Sequence, residues 1–347
     1  MKKLFSVLSV ATLSLSLVLT GCGSGNTNKP AEQGNTGGAG AGSGAAKIKV
    51  GMVTDVGGVN DNSFNQSAWE GLQKFKEDTG NDVDYLQSQN DSDYVPNLNQ
   101  FVKDKWDLTW GIGMLMAAHV KQVAGENPDA KLAIIDDVVD APNVESVTFK
   151  ENEGSFLAGV VAAEMTKTNK VGFVGGAEIP VIKRFEKGFV AGVKAAKPDV
   201  EVITVYTGAF DKPDLGKASA SQIYGKGADI IFHASGATGD GVFNEAKARK
   251  AKGENVWVIG VDKDQSLRFG DDITLTSMVK RVDEAVYRVS KDLADGKFKG
   301  GSVVLGLKED GVGLADTSTK NVPEDILKKV DEFKQKIISG EITVPEK

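Results

Sequence analysis

The stretch Val53–Leu72, VTDVGGVNDNSFNQSAWEGL, gathers the side chains best able to do chemistry. Asp55, Asn60, Asp61, Asn62 and Phe64 offer carboxylate acceptors, amide donors and one aromatic face toward a cleft. The same residues have a plainer use. Asp61 or Ser63 can cap a following helix, and Phe64 can be core.

Elements must aim those side chains. Ile48, Val50 and Met52 read as a short strand, Gly57-Gly58 as a turn, and Trp69, Leu72 and Phe75 as the apolar positions of a helix. In an open α/β sheet the ends of strands and the helix N-termini that follow them face a cleft, where this loop would lie. The alternation continues. Strands are expected near 48–53, 82–87, 107–111 and 131–136, with helices near 64–79, 94–104, 115–126 and 153–167. A second series places strands at 170–174, 200–205, 230–232, 256–261 and 274–278, with helices near 183–196, 214–226, 239–252 and 281–295. Runs such as Ala133-Ile134-Ile135 are apolar on both faces, as in a parallel sheet covered on both sides. The pattern predicts an α/β protein of two doubly wound parallel-sheet lobes with a cleft between them. Glycine-rich or polar groups recur at the strand ends: Gly111-Ile-Gly113, Asp136-Asp137, Gly175-Gly176, Gly208-Ala-Phe210, His233-Ala-Ser-Gly236 and Asp262-Lys-Asp-Gln265.

Other chemistries lack their motifs. Neither Val171–Gly176 nor Gly111–Met116 has the GxGxxG spacing of a dinucleotide site, and no GxxxxGK[ST] or GxSxG sequence occurs. Only two histidines, His119 and His233, and one cysteine leave no thiolate or histidine metal cluster, and no local motif places either histidine in a catalytic triad. No cofactor is expected. A formal charge of −7 with no basic stripe argues against nucleic acid, and fifteen Phe, five Tyr and four Trp are too few for a stacking platform. The 347 residues exceed what one core usually serves, in keeping with two lobes.

The N-terminus reads as an address. Lys2 and Lys3, an apolar run from Leu4 to Leu19, and Leu19-Thr20-Gly21-Cys22 have the form of a bacterial lipoprotein signal over 1–21, with Cys22 as lipid acceptor. Loss of the two lysines takes the charge from −7 to −9. Residues 22–46, rich in Gly, Ser and Asn, read as a flexible tether between membrane and body.

Several motifs in order then carry a resemblance. Asp55-Val-Gly-Gly with Asp61-Asn-Ser-Phe-Asn-Gln66, Ile134-Ile-Asp136, Phe149-Lys-Glu-Asn-Glu-Gly-Ser-Phe-Leu-Ala-Gly159, Gly172-Phe-Val-Gly-Gly176 and Arg184-Phe-Glu-Lys-Gly-Phe189 resemble the basic membrane protein family, lipid-anchored substrate-binding proteins of ABC importers. The resemblance runs from about 47 to 345 and includes the branch typified by purine nucleoside receptor A. It implies the type I periplasmic-binding-protein fold. Lobe 1 would be 47–150 plus 279–304, and lobe 2 151–278 plus 305–347, joined by a hinge crossed near 149–152, 276–278 and 305–308. It implies a non-enzymatic receptor on the outer face of the cell membrane that delivers a purine nucleoside to a permease, and the body is expected to be a monomer. Carried over residue by residue, it places base contacts at Asp55, Phe64 and Phe232, and ribose contacts at Asp136, Asp262 and Lys280, with Gly236 letting backbone approach the sugar. Asn62 stands where many relatives have lysine, and His233 adjoins the aromatic position, so both count as candidate contacts. A sugar, furanone or flavin ligand, a nucleoside hydrolase and a surface adhesin are the competing readings.

Overall fold

The computed structural model describes residues 47–346. The leader, Cys22 and the tether lie outside the described residues. Strands β1 (Lys49–Val53), β2 (Asp82–Leu86), β3 (Leu108–Ile112), β4 (Leu132–Ile135) and β5 (Val144–Phe149) alternate with helices α1 (Phe64–Thr79), α2 (Tyr94–Lys103) and α3 (Ala117–Glu126). After α4 (Glu151–Met165) come β6 (Lys170–Gly175), α5 (Pro180–Ala196), β7 (Glu201–Tyr206), α6 (Pro213–Gly225), β8 (Ile230–Ala234), α7 (Gly239–Lys250), β9 (Trp257–Asp262), α8 (Ser266–Phe269) and β10 (Thr274–Lys280). The chain ends with α9 (Val282–Ala294), β11 (Gly301–Leu305), β12 (Val312–Leu314) and α10 (Glu324–Ile338).

Two six-stranded sheets result, ordered β11-β5-β4-β3-β1-β2 and β12-β10-β9-β8-β6-β7. All pairs are parallel except β10 with β12. The central strands β3 and β8 are buried along their whole length, since helices cover both faces. In each sheet the first strand of the series pairs on both sides, β1 with β2 and β3, β6 with β7 and β8. That reversal of strand order opens a crevice at the carboxyl ends of the strands.

This is the type I periplasmic-binding-protein architecture of two α/β lobes, both within one compact unit. The chain passes between the sheets at Phe149–Glu151, at Lys280–Val282 and between Leu305 and Val312. The second passage falls later than the expected 276–278. β12 pairs with β10 out to Lys280↔Val312, which keeps Val279 and Lys280 in the second sheet. Strands β5, β11 and β12 and helices α8 and α10 have no counterpart among the expected elements. Among the described residues no helix is long and apolar enough to cross a membrane.

Candidate functional site

The loop from β1 to α1 is held by its own acids. The Asp55 carboxylate accepts from the Gly57 backbone N–H at 2.8 Å and from the Asn65 amide at 2.7 Å. Asp61 caps α1, accepting from the backbone N–H groups of Ser63, Asn65 and Gln66 at 3.0, 2.9 and 3.0 Å. Ser63, which could have been the cap, turns its hydroxyl across the cleft and donates to Asp262. Burial pushes the Asp55 carboxyl up to about 6; bonds from Asn65 and Gly57 oppose this, and the charges of Asp61 and Asp136 add to it.

Lys280 is the centre of the site. It ends β10, is 1% exposed, and places Nζ 2.5 Å from Asp136 Oδ1 and 3.1 Å from Glu151 Oε1. Its ammonium also stands over the rings of Phe64, Phe149 and Phe185, 5.0, 5.1 and 5.6 Å from their centroids. Burial alone would lower its proton affinity, but the carboxylates of Asp136, Glu151 and Asp262 outweigh that and raise it, so Lys280 is a fixed cation. Burial lifts Asp136 to about 6 against the pull of Lys280, and Asp262 to about 7 against Lys280 and the Ser63 hydroxyl. Asp136 and Asp262 occupy equivalent positions after β4 and at the end of β9. Both have left-handed backbone, φ 77° and 64°, an uncommon conformation for a residue with a side chain.

These groups surround a cavity between the lobes, with about 550 Å³ of empty space including its mouth. Asp55, Phe64, Asp136, Gly236, Asp262 and Lys280 all line it. The second lobe adds a mostly apolar wall of Ile179, Val181, Ile182, Phe185 and Phe210. Phe210 leans on Gly176, where an added Cβ would come within 2.3 Å of the ring, so glycine there sets the ring position. This wall was not anticipated, although Gly208-Ala-Phe210 had stood out as a strand-end loop.

Three expected contacts lie elsewhere. Phe232 is fully buried in the second lobe among Phe173, Phe185 and Phe189 and does not line the cavity. Its position in the middle of β8 turns it into the core, while the residues past the strand end, Ser235 and Gly236, reach the cleft. His233 is likewise buried, with Nε2 2.8 Å from Gln265 Oε1 and Nδ1 3.3 Å from Ser235 Oγ. Burial lowers it to about 4, so it is a neutral structural imidazole. Asn62, with φ 54°, bridges the lobes at the rim: its amide donates to Asp240 at 3.0 Å and its carbonyl accepts from Gln265 at 3.0 Å. Glu70 and Lys263 add an ion pair across the cleft at 2.5 Å. Among the described residues no cluster of His, Cys, Asp and Glu is arranged to hold a metal ion.

The cavity therefore offers aromatic faces, an apolar wall, three carboxylates poised near neutrality and one fixed cation. Such a set can hold a neutral, flat molecule that carries hydroxyl groups.

The sequence matches the family described as "ABC transporter substrate-binding protein PnrA-like" over residues 48–347. A "CD4+ T-cell-stimulating antigen" of Listeria monocytogenes is 49% identical over 315 residues, covering 86% of this chain and 88% of the relative. An "ABC transporter nucleoside-binding protein BmpA" of Lactococcus lactis is 42% identical over 318 residues, covering 86% of this chain and 90% of the relative. A solved structure of an ABC transporter solute-binding protein from Aeropyrum pernix superposes with a TM-score of 0.80 at 34% identity, covering 86% of this chain and 94% of that one.

Proposed function

The chain belongs to the PnrA-like family of ABC transporter substrate-binding proteins, and we propose that it captures a purine nucleoside between its lobes and hands it to a membrane permease. The observation that carries this reading is the meeting, in one interlobe cavity, of Phe64, Phe185 and Phe210 with Asp136, Asp262 and Lys280. A purine presents two π-faces and a polar edge; a ribose presents neighbouring hydroxyls that a carboxylate accepts as charge-assisted bonds. Asp55 meets the base edge, Phe64 a base face, and Asp136, Asp262 and Lys280 the sugar. The relative from Lactococcus lactis, nucleoside-binding by its name, supports the same ligand class.

Substrate-binding proteins of ABC transporters work outside the cytoplasm. We place this one at the outer face of the cell membrane through a lipid on Cys22, as a monomer whose lobes swing on the three passages between sheets. It returns its ligand unchanged.

Calorimetric titration of the body from residue 47 with inosine, guanosine, adenosine, ribose and riboflavin tests the ligand. Binding of a nucleoside with weak or absent binding of ribose and riboflavin is the expected result; no binding of any nucleoside overturns it. Release of free base from inosine over hours would make the protein an enzyme instead.

A further inference from the structure

Glu151 is the most completely enclosed charge beside the cavity without lining it. It is 0% exposed and begins α4, at the end of the first passage between the sheets. One carboxylate oxygen lies 3.1 Å from Lys280 Nζ, and the other accepts from Arg184 Nε at 2.7 Å. Lys280 in turn pairs with Asp136, so a continuous ionic chain runs from the first lobe through a passage residue to α5 of the second. Within the protein, Glu151 Oε1 and Asp136 Oδ1 both turn toward the Lys280 ammonium, which is their shared partner. The backbone presets this geometry. α5 presses onto α4 at Gly188, where an added Cβ would come within 2.1 Å of the Asn152 carbonyl, one turn from Arg184 and one residue from Glu151.

We infer that Glu151 is a positioning residue for ligand capture: anchored by Arg184, it holds the Lys280 ammonium against one oxygen of Asp136, leaving the other Asp136 oxygen and Asp262 to accept ligand hydroxyls. Without it, Nζ has only those two carboxylates to neutralise and shifts from its place on Asp136 toward Asp262, across the atoms a ligand must reach. Because the anchor lies at a passage between lobes, the same contact ties the ligand-facing cation to the hinge.

The charged groups facing Asp136 are Lys280 from β10, Glu151 from α4, Arg184 from α5, and Asp55 and Asp262 across the cavity. Asp137, Lys150 and Glu346 share a surface groove with it. Of these, Glu151 pushes the Asp136 carboxyl up and Arg184 pulls it down. The test is a pair of variants, Glu151→Gln and Arg184→Gln, titrated with inosine from pH 5 to 8, with melting curves to confirm folding. Both should lose about tenfold in affinity at pH 7.5, the scale of one buried bond to a charged group. The acid limb of binding should move down by about half a unit in Glu151→Gln and up by a similar amount in Arg184→Gln, where Glu151 still pairs with Lys280. Opposite displacements support the inference; parallel or absent displacements, with affinity lost evenly at every pH, overturn it. The ligand assay rests on the nucleoside reading. Carbon-13 titration of the Asp136 carboxyl in ligand-free protein reads the same opposite displacements with no ligand present, so failure of that reading and failure of this one are told apart. Should Glu151→Gln fail to fold, the upward displacement in Arg184→Gln still decides.

Discussion

The two lobes are built to one plan and furnish the cleft differently. In both, the third strand of the series runs into a glycine with positive φ at the start of a 3₁₀ turn and helix, Gly113 directly after β3 and Gly236 two residues past β8. In both, the fourth strand delivers a left-handed aspartate, Asp136 or Asp262. The first strand of each series is where they part. β1 leads into Asp55, Asp61 and Asn65, tied by hydrogen bonds to the start of α1, whereas β6 leads into Gly176 and the apolar Ile179, Val181 and Ile182 around the start of α5. At the first strand one lobe thus offers mainly hydrogen-bonding groups and the other mainly apolar ones. A ligand satisfied by only one lobe cannot favour closure, because closure is stabilised by contacts made to both at once.

The largest expected effect removes what both lobes share. Lys280→Met leaves Asp136, Glu151 and Asp262 buried around an apolar side chain, and uncompensated buried charge is strongly destabilising. Nucleoside affinity should fall by about a hundredfold or more and the melting temperature with it, the first read by calorimetry and the second by circular dichroism. Retained affinity would mean that the cation serves the fold alone. Asp262→Ala touches one lobe's aspartate and its bond from Ser63 across the cleft. Its expected cost is more than tenfold in affinity, about 1.4 kcal/mol. Unchanged binding would put the sugar elsewhere.

Acidity separates the demands of fold and ligand. Asp55, Asp136 and Asp262 titrate near 6, 6 and 7, above the ordinary carboxylate range, so the folded protein holds protons that the unfolded chain has released. Their contribution to stability is fully present below about pH 4 and is lost as pH rises through 6 to 7. Ligand hydroxyls need the ionised forms, so affinity should move the opposite way and weaken severalfold between pH 7.5 and 5.5. Melting curves with and without inosine read both trends. If affinity holds steady or rises on acidification, these acids are not the ligand's acceptors.

Much of this arrangement was legible in the sequence, and what was not has physical reasons. The βα alternation and the carboxylates at strand ends could be read because burial on both faces and left-handed strand-end turns restrict residue type. Asp55, Phe64, Asp136, Gly236, Asp262 and Lys280 meet at the cavity for that reason. The apolar wall was opaque because Ile182 and Phe185 sit at helical spacing indistinguishable from core. Glu151 was hidden too: an acid in the first turn of a helix has a ready explanation in the helix dipole. β5 escaped notice because its Glu145 and Thr148 break the apolar run.

The smallest effects test the second lobe's aromatics, the point on which sequence and structure disagree. Phe232 is sealed in the core against three phenylalanines, so Phe232→Leu should lower the melting temperature through lost packing and change affinity by less than about twofold. Phe210 is half-buried in the cavity wall with Gly176 behind it, so Phe210→Leu should cost about threefold to tenfold in affinity with little loss of stability, the value of one ring stacked on a base. The two variants remove the same atoms from the same lobe, so a difference between them is a difference of position alone. The reverse outcome, affinity lost in Phe232→Leu and kept in Phe210→Leu, would require the second lobe to open its core to the ligand on closure. The apolar wall would then be a door to the site and the polar lobe its only fixed half.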